Sequence, residues 1–165
     1  MQKRDYIAIA NGYINDVLAK KLPACRYVIE ACKRQKNDLK RKRWQYHFDV
    51  NLASRPCRFS EMLCHVKAEK AGQKIVLEPW QIFILTTVFG WVDDNNHRRY
   101  QRAYIEVPRG NGKSTLLSCI GLFMMCADNE KGADCCSCAT PRDQAKLVFN
   151  DAQEMARITP DLRAA

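Results

Sequence analysis

The chain has 165 residues, of which 47% are hydrophobic and 27% charged, values typical of a soluble globular domain with a sizeable core. No apolar run approaches the roughly 20 residues that a membrane-spanning helix needs, and the N-terminus lacks the apolar core of a signal peptide. These features argue against a membrane protein or a secreted one, so we expect an intracellular protein.

Basic charge is concentrated in the first part of the chain. The net charge is +9; residues 1–70 hold 16 Lys and Arg against 7 Asp and Glu, whereas residues 71–165 hold 11 of each. The densest stretch, residues 33–44, reads KRQKNDLKRKRW. Such a run can attract a polyanion such as DNA through the release of counterions. A solvated helix face is the more frequent explanation of a lone basic run, and both interpretations stay open here.

The first 72 residues carry three predicted helices and one predicted break. Pro56, in the segment ASRPC, disfavours helical backbone at Arg55, so we expect a turn or short linker over residues 53–57. Apolar periodicity and capping residues place the helices at residues 5–22, 24–44 and 60–72.

From Pro79 onwards the pattern changes to alternating helices and strands. Pro79 suits the first turn of a helix. The β-branched and aromatic content of residues 102–108 predicts a strand, and residues 132–140 read as a second, buried strand. Helices are predicted over residues 80–88, 113–127 and 141–157. A strand, a loop, a helix, a strand and a helix are the beginning of a parallel sheet, so the predicted fold class is α/β.

The cysteines are predicted to be structural. There are nine of them, and nothing in the sequence indicates secretion, so we expect reduced thiols. Cys135, Cys136 and Cys138 lie close together in DCCSCAT, but that segment reads as a buried strand in which cysteine acts as a small hydrophobic residue. We therefore expect no metal site there.

A glycine-containing loop, IEVPRGNGKST at residues 105–115, joins the first predicted strand to the helix after it. Gly110 and Gly112 would let backbone N–H groups converge on phosphates, with the charge of Lys113 and the hydroxyl of Ser114 beside them. The general pattern G-x-x-x-x-G-K-[ST] requires a glycine where Val107 stands. A plain glycine turn before a surface lysine is the alternative explanation.

Three segments in this order resemble the tailed-phage terminase large subunit, the ATPase that drives DNA into the empty capsid. FSEMLCHVKAEKAGQKIVLEPWQIFILTTVFGW resembles the family's lead-in to the motor domain. RAYIEVPRGNGKST resembles its variant Walker A, in which an arginine ahead of the glycine replaces the usual first glycine. GADCCSCATPRDQAKLVFNDAQEMAR resembles the strand and helix that follow. The resemblance covers roughly residues 58–160.

The resemblance implies a P-loop NTPase fold and a domain division. We expect an incomplete three-layer parallel sheet with helices on both faces, preceded by an N-terminal helical region. The basic helical region would be residues 1–57, and residues 58–165 would be the N-terminal part of the ATPase domain.

The resemblance also implies ATP and Mg²⁺ as ligands. Lys113 would contact the β- and γ-phosphates, and Arg109 would stabilise charge on the transferring phosphoryl group. Gln81 would read the edge of the adenine, and Ser114 would bind Mg²⁺, with Thr115 beside it. The residues that would wrap the phosphates are Gly110, Asn111 and Gly112. The segment ATPRDQA, residues 139–145, would couple the nucleotide to movement.

The expected partners and missing parts follow from the same resemblance. Partners would be double-stranded viral DNA, the portal protein, the terminase small subunit and further copies of the subunit in a ring, in the bacterial cytoplasm and at the procapsid portal. No apolar strand ending in Asp-Glu follows Met155, and nuclease carboxylates are absent, so we expect a chain truncated before Walker B that binds nucleotide without turnover. A basic DNA-binding or interaction module and another P-loop NTPase, such as a helicase, are the alternatives.

Overall fold

The computed structural model describes residues 4–130 and 132–163. Contacts divide the chain into two compact units, the first built from residues 4–57 and Glu78–Tyr104 and the second from Arg58–Leu77 and residues 105–163. The helices are α1 (Tyr6–Leu18), α2 (Arg26–Asp38), α3 (Val50–Met62), α4 (Pro79–Gly90), α5 (Lys113–Cys126), α6 (Arg142–Ile158) and α7 (Pro160–Arg163), with a 3₁₀ turn at Ala68–Lys70. The strands are β1 (His47–Phe48) and β2 (Trp91–Val92). In the described part of the chain, no helix is long and apolar enough to cross a membrane.

The first unit packs α1 and α2 against the apolar helix α4. Asp5 starts α1, because its carboxylate accepts a hydrogen bond from the backbone N–H of Ala8 at 2.9 Å. Ile14, Cys32 and Phe83, one from each helix, are buried in the core between them. Pro79 is the first residue of α4, as the sequence predicted.

A short antiparallel pair of strands closes the first unit. Phe48 of β1 lies opposite Trp91 of β2, and their rings pack edge to face with centroids 5.3 Å apart. Gly90, just before β2, is required by this close approach. A Cβ at Gly90 would lie 2.6 Å from Cε2 of Phe48 and 2.7 Å from Cβ of Ala53.

Arg99 links the aromatic residues of the first unit to a buried acid. Its guanidinium lies 4.3 Å from the ring centroid of Trp44 and donates to Asp38 Oδ2 at 2.7 Å. Asp38, at the end of α2, is only 4% exposed. A buried carboxylate needs such a partner, since burying an isolated charge is costly.

The predicted break at residues 53–57 is wrong, because α3 runs straight through Pro56. Asp49 starts this helix: its carboxylate accepts hydrogen bonds from the backbone N–H groups of Asn51 and Leu52, at 2.7 and 2.9 Å. A proline inside a helix costs about 3 kcal/mol. Here Pro56 is itself fully buried, so packing offsets that cost.

The helix predicted over residues 60–72 is also wrong. Ser60 lies inside α3, which ends at Met62, and only the short 3₁₀ turn at Ala68–Lys70 follows. The start at Asp49 thus moves the whole helix towards the N-terminus. The helix predicted over residues 24–44 is shorter than expected and ends at Asp38.

The second unit is centred on α5 and α6. The hydroxyl oxygen of Ser118, on α5, lies 2.9 Å from the carbonyl oxygens of both Ser114 and Val148, and so joins the two helices. Phe59 packs edge to face on Phe123 with centroids 5.8 Å apart. These contacts hold α5 by its buried side, where Ser118 is completely buried.

The predicted parallel sheet is not observed. Residues 102–108 and 132–140 lie outside helices and strands, and the described residues form a mainly helical structure with one two-stranded sheet. Cys136 and Cys138 are exposed and Cys135 is half-buried, so the prediction of a buried strand at these positions is wrong. An extended segment becomes a strand only where a neighbour completes its hydrogen-bond ladder, and side-chain pattern alone does not supply that neighbour.

Candidate nucleotide-binding site

The loop before α5 is a left-handed glycine turn. Gly110 has φ +89° and Gly112 has φ +71°, values that a residue with a side chain adopts only with strain. Gly112 precedes α5, and its carbonyl accepts the first helical hydrogen bond, from Leu116 N–H at 2.9 Å. The N–H groups of the first helical residues therefore have no partner within the helix. The two glycines therefore turn the chain so that α5 begins with these unpaired N–H groups.

The side chains of the loop leave a positive surface. Arg109, Lys113 and Ser114 are exposed, and no acidic residue stands in the first turn of α5. Among the described residues, neither Arg109 nor Lys113 has an ion-pair partner. The helix dipole adds to the two charges, so the start of α5 suits an anion.

Neighbouring contacts hold this loop in place. The side-chain amide of Asn111 donates to the carbonyl of Pro108 at 3.3 Å, which closes the turn. On α5, Leu116 and Cys119 are buried in the second unit, and burial raises the pKa of the Cys119 thiol to about 12. The thiol therefore stays neutral, and it forms a hydrogen bond with the side chain of Ser60. The helix is thus anchored on one side while its N-terminal end stays open.

The structure brings together seven of the predicted site residues as one continuous segment, from Arg109 to Thr115. The eighth, Gln81, belongs to the first unit. Its side-chain oxygen accepts a hydrogen bond from the backbone N–H of Glu78 at 2.9 Å, at the start of α4. Sequence reasoning missed this capping role, although a glutamine at the third helical position is a known signal for it. Reading of adenine by Gln81 stays a prediction.

The predicted coupling segment forms the start of α6. Pro141 precedes the helix, and Arg142 and Gln144 are exposed in its first turn. Ser137, just before this segment, donates to the carbonyl of Ala145 in α6 at 3.0 Å. This hydrogen bond joins the chain on either side of the turn into α6. The coupling role of the segment stays a prediction.

The described residues contain no group of three His, Cys, Asp or Glu side chains placed to hold a metal ion. In the sequence, the closely spaced cysteines of DCCSCAT, among them Cys135, come nearest to the spacing of metal ligands. Burial first, and then the negative charge of Asp134, raise the pKa of the Cys135 thiol.

Comparison with known families identifies the kind of protein that carries this loop. A model of the terminase large subunit ATPase domain matches residues 79–163, just over half of the chain. The chain belongs to the terminase large subunit ATPase domain family. Neither the curated proteins nor the solved structures contain a match to it.

The family match confirms the resemblance seen in the sequence. The matched range of this terminase ATPase domain contains α4 with Gln81 and the whole loop from Arg109 to Thr115. It also contains α5 and α6, the helices that Ser118 joins. The sequence did not reveal that Ser118 joins α5, the helix that follows the loop, to α6. A serine on an apolar helix carries no signal of its contacts.

Proposed function

We propose that this terminase ATPase domain binds ATP with Mg²⁺ through the loop Arg109–Thr115. One observation carries the proposal: an exposed left-handed glycine turn stands at the start of an anchored helix, with Lys113 and Arg109 beside it. Such a turn exposes backbone donors, and the two side chains supply positive charge. Together they would complement the negative charge of a triphosphate.

Each residue of the loop has a proposed part. Gly110, Asn111 and Gly112 wrap the phosphates with backbone N–H groups, and Lys113 neutralises the β- and γ-phosphates. When bound, Mg²⁺ would neutralise the developing charge on the phosphates. Ser114, the second residue of α5, would hold that ion through its hydroxyl, with Thr115 beside it.

Arg109 and Gln81 have roles that depend on the bound nucleotide. Arg109 is exposed on the turn, so we assign its guanidinium to the charge on the transferring phosphoryl group. The amide of Gln81 has both a donor and an acceptor, which suits the edge of an adenine. Its oxygen already accepts one hydrogen bond, and a carbonyl oxygen can accept two.

The role of the chain in a larger assembly is proposed from the motor function of its family. We propose that the chain contributes the nucleotide-binding part of the motor that packages viral DNA, with double-stranded DNA, the portal protein and the small subunit as partners of an assembled ring. Hydrolysis needs an aspartate for the metal and a glutamate to orient water. The sequence has no apolar strand ending in Asp-Glu after Met155, so we expect nucleotide binding without steady turnover by this chain alone.

Binding of a fluorescent ATP analogue tests the proposal. The unaltered chain should bind the analogue in the presence of Mg²⁺, and Lys113→Ala should weaken binding at least tenfold because the phosphates lose their nearest charge. Lys146→Ala is the matched control: Lys146 is an exposed lysine on α6, outside the loop. Equal binding by the unaltered chain and Lys113→Ala would reject the site.

A further inference from the structure

The first unit contains an open apolar cleft that the nucleotide site does not use. The cleft holds about 190 Å³ and is formed by α1, the end of α2, the β1–α3 junction and α4. Its floor is closed by the buried side chains of Ile14, Phe83 and Thr86. A dry cavity of about 150 Å³ is already large enough to take up benzene, so this cleft has room for one large apolar side chain.

The rim of the cleft is apolar and accessible. Leu39 and Val50 line it, and they are 44% and 52% exposed. The polar atoms of the neighbouring wall are mostly engaged: Gln35 Oε1 accepts from Trp91 Nε1 at 2.7 Å, and the Thr86 hydroxyl donates to the Ile82 carbonyl at 2.8 Å. Two polar residues of the lining differ from these: Asn11 is exposed, and the Thr87 hydroxyl is buried with no hydrogen-bond partner among the described residues. Most of the accessible lining is apolar, so the cleft offers contact chiefly with an apolar group.

Positive charges stand beside this rim. Lys40 follows Leu39 directly, is exposed, and has no ion-pair partner in the part of the chain that the structure describes. Lys36, one turn earlier, is exposed and donates to Asn15 Oδ1 at 3.2 Å. Asp38, between the two lysines, is buried and paired with Arg99. Its negative charge is therefore turned away from solvent.

The acidic residues near the other side of the cleft form hydrogen bonds at the starts of helices. Asp49, next to Val50, accepts hydrogen bonds from the start of α3, and Asp5 accepts one at the start of α1. Their charge is directed at helix N-termini, which carry partial positive charge. An approaching chain thus meets the lysines of α2 beside an apolar opening.

We propose that this cleft is a docking site for an acidic protein segment that inserts one large apolar side chain. The cleft receives the apolar group, and Lys36 and Lys40 attract the acidic residues around it. Charge complementarity selects this occupant, because opposite potentials favour encounter and register of two partners. A buried apolar anchor in a pocket is the usual centre of such an interface.

Two other occupants fit the cleft less well. A second copy of this chain, with a net charge of +9, would have to present an acidic segment to Lys36 and Lys40. A nucleic acid duplex presents phosphates to a protein but no flexible apolar group for a cleft of this depth. Its recognition would rely on the lysines alone and would leave Leu39 and Val50 without a role.

Four labelled peptides test the proposal on the full chain. The peptides combine either Glu or Gln flanks with either Phe or Ser at the centre, and binding is measured by fluorescence anisotropy. The Glu–Phe peptide should bind most tightly. Replacing Phe by Ser should weaken binding at least tenfold through loss of apolar burial. Replacing Glu by Gln should weaken it several-fold and remove most of its dependence on salt.

Variants of the protein locate the binding. Leu39→Asp should weaken binding of the Glu–Phe peptide at least tenfold. Leu22→Asp is the matched control, because Leu22 is similarly exposed at 41% and lies outside the cleft. Thr87→Leu extends a side chain on the cleft wall and should also weaken binding. An unchanged melting temperature of this variant would show that the fold is kept.

Several results would overturn the proposal. Equal binding of the Phe and Ser peptides, or equal losses for Leu39→Asp and Leu22→Asp, would show that the cleft takes no anchor. Displacement of every peptide by a DNA duplex, with no effect of Leu39→Asp on duplex binding, would indicate a nucleic-acid surface. Self-association that Leu39→Asp abolishes would identify a second copy as the occupant.

Discussion

Two segments of the chain with similar side-chain patterns have different secondary structures. Trp91–Val92 becomes strand β2 because His47–Phe48 pairs with it and Phe48 packs on Trp91. Residues 102–108 have the same β-branched and aromatic character and remain outside any strand. Burial alternates from Tyr104, which is exposed, to Ile105, which is half-buried, and onwards to Pro108. Side-chain alternation therefore sets which residues are covered, while the partner strand decides whether a ladder forms.

The largest expected effect comes from removing Asp38, the buried partner of Arg99 in the first unit. Asp38→Ala removes the acid that Arg99 contacts, and should lower the free energy of unfolding by about 3 kcal/mol because a charge is left in a mostly buried place. Urea denaturation measures the change. Asp16→Ala, which breaks the exposed pair with Lys21, should cost less than about 1 kcal/mol. Equal losses from the two substitutions would contradict a special role for Asp38.

A smaller effect tests the close approach of β1 to β2. Gly90→Ala places a Cβ against Phe48 and Ala53, and should cost about 2 kcal/mol through overpacking. Gly121→Ala is its control in the second unit: a Cβ there meets nothing within 4 Å, so helix α5 should gain about 0.5–1 kcal/mol. Thermal unfolding of both variants should show opposite shifts. A stabilised Gly90→Ala would contradict the packing described at β1.

The next test concerns the second unit, where side chains rather than a ladder join the elements. Ser118→Ala removes the hydroxyl between α5 and α6 and should cost about 1 kcal/mol. Ser137→Ala, which removes an exposed hydrogen bond to Ala145, should cost less. Hydrogen exchange of α6 amides should quicken in Ser118→Ala; unchanged exchange would show that α6 is held by other contacts.

The smallest expected effect is a gain of stability in the first unit. The hydroxyl oxygen of Thr87 is buried and has no hydrogen-bond partner among the described residues. Thr87→Val keeps the shape and removes that cost, so the free energy of unfolding should rise by about 1 kcal/mol. Thr86→Val is the contrasting variant, since the Thr86 hydroxyl donates to Ile82 and its loss should destabilise. Urea denaturation decides the sign for each; a loss in both would mean that Thr87 has a partner.

Several helices and the candidate loop were predictable because their signals are local. Pro79 and Asp5 start helices by their own chemistry, and apolar periodicity placed α5 and α6 within about two residues of their observed bounds. The left-handed turn at Gly110 and Gly112 likewise follows from glycines beside a helix. The resemblance of three ordered segments to the terminase large subunit was also visible in the sequence, and the family match over residues 79–163 confirms it.

Contacts between distant residues decided the rest, and no local pattern contains them. Pro56 sits inside α3 because Asp49 starts the helix and the core covers the ring, against the local preference of Arg55. The cleft beside Leu39 exists because helices far apart in the sequence meet there. The sequence by itself determined the starts of α1 and α4, the bounds of α5 and α6, the charged loop and the resemblance to the family. Only the tertiary structure decided which extended segments pair, because a ladder depends on a partner elsewhere in the chain.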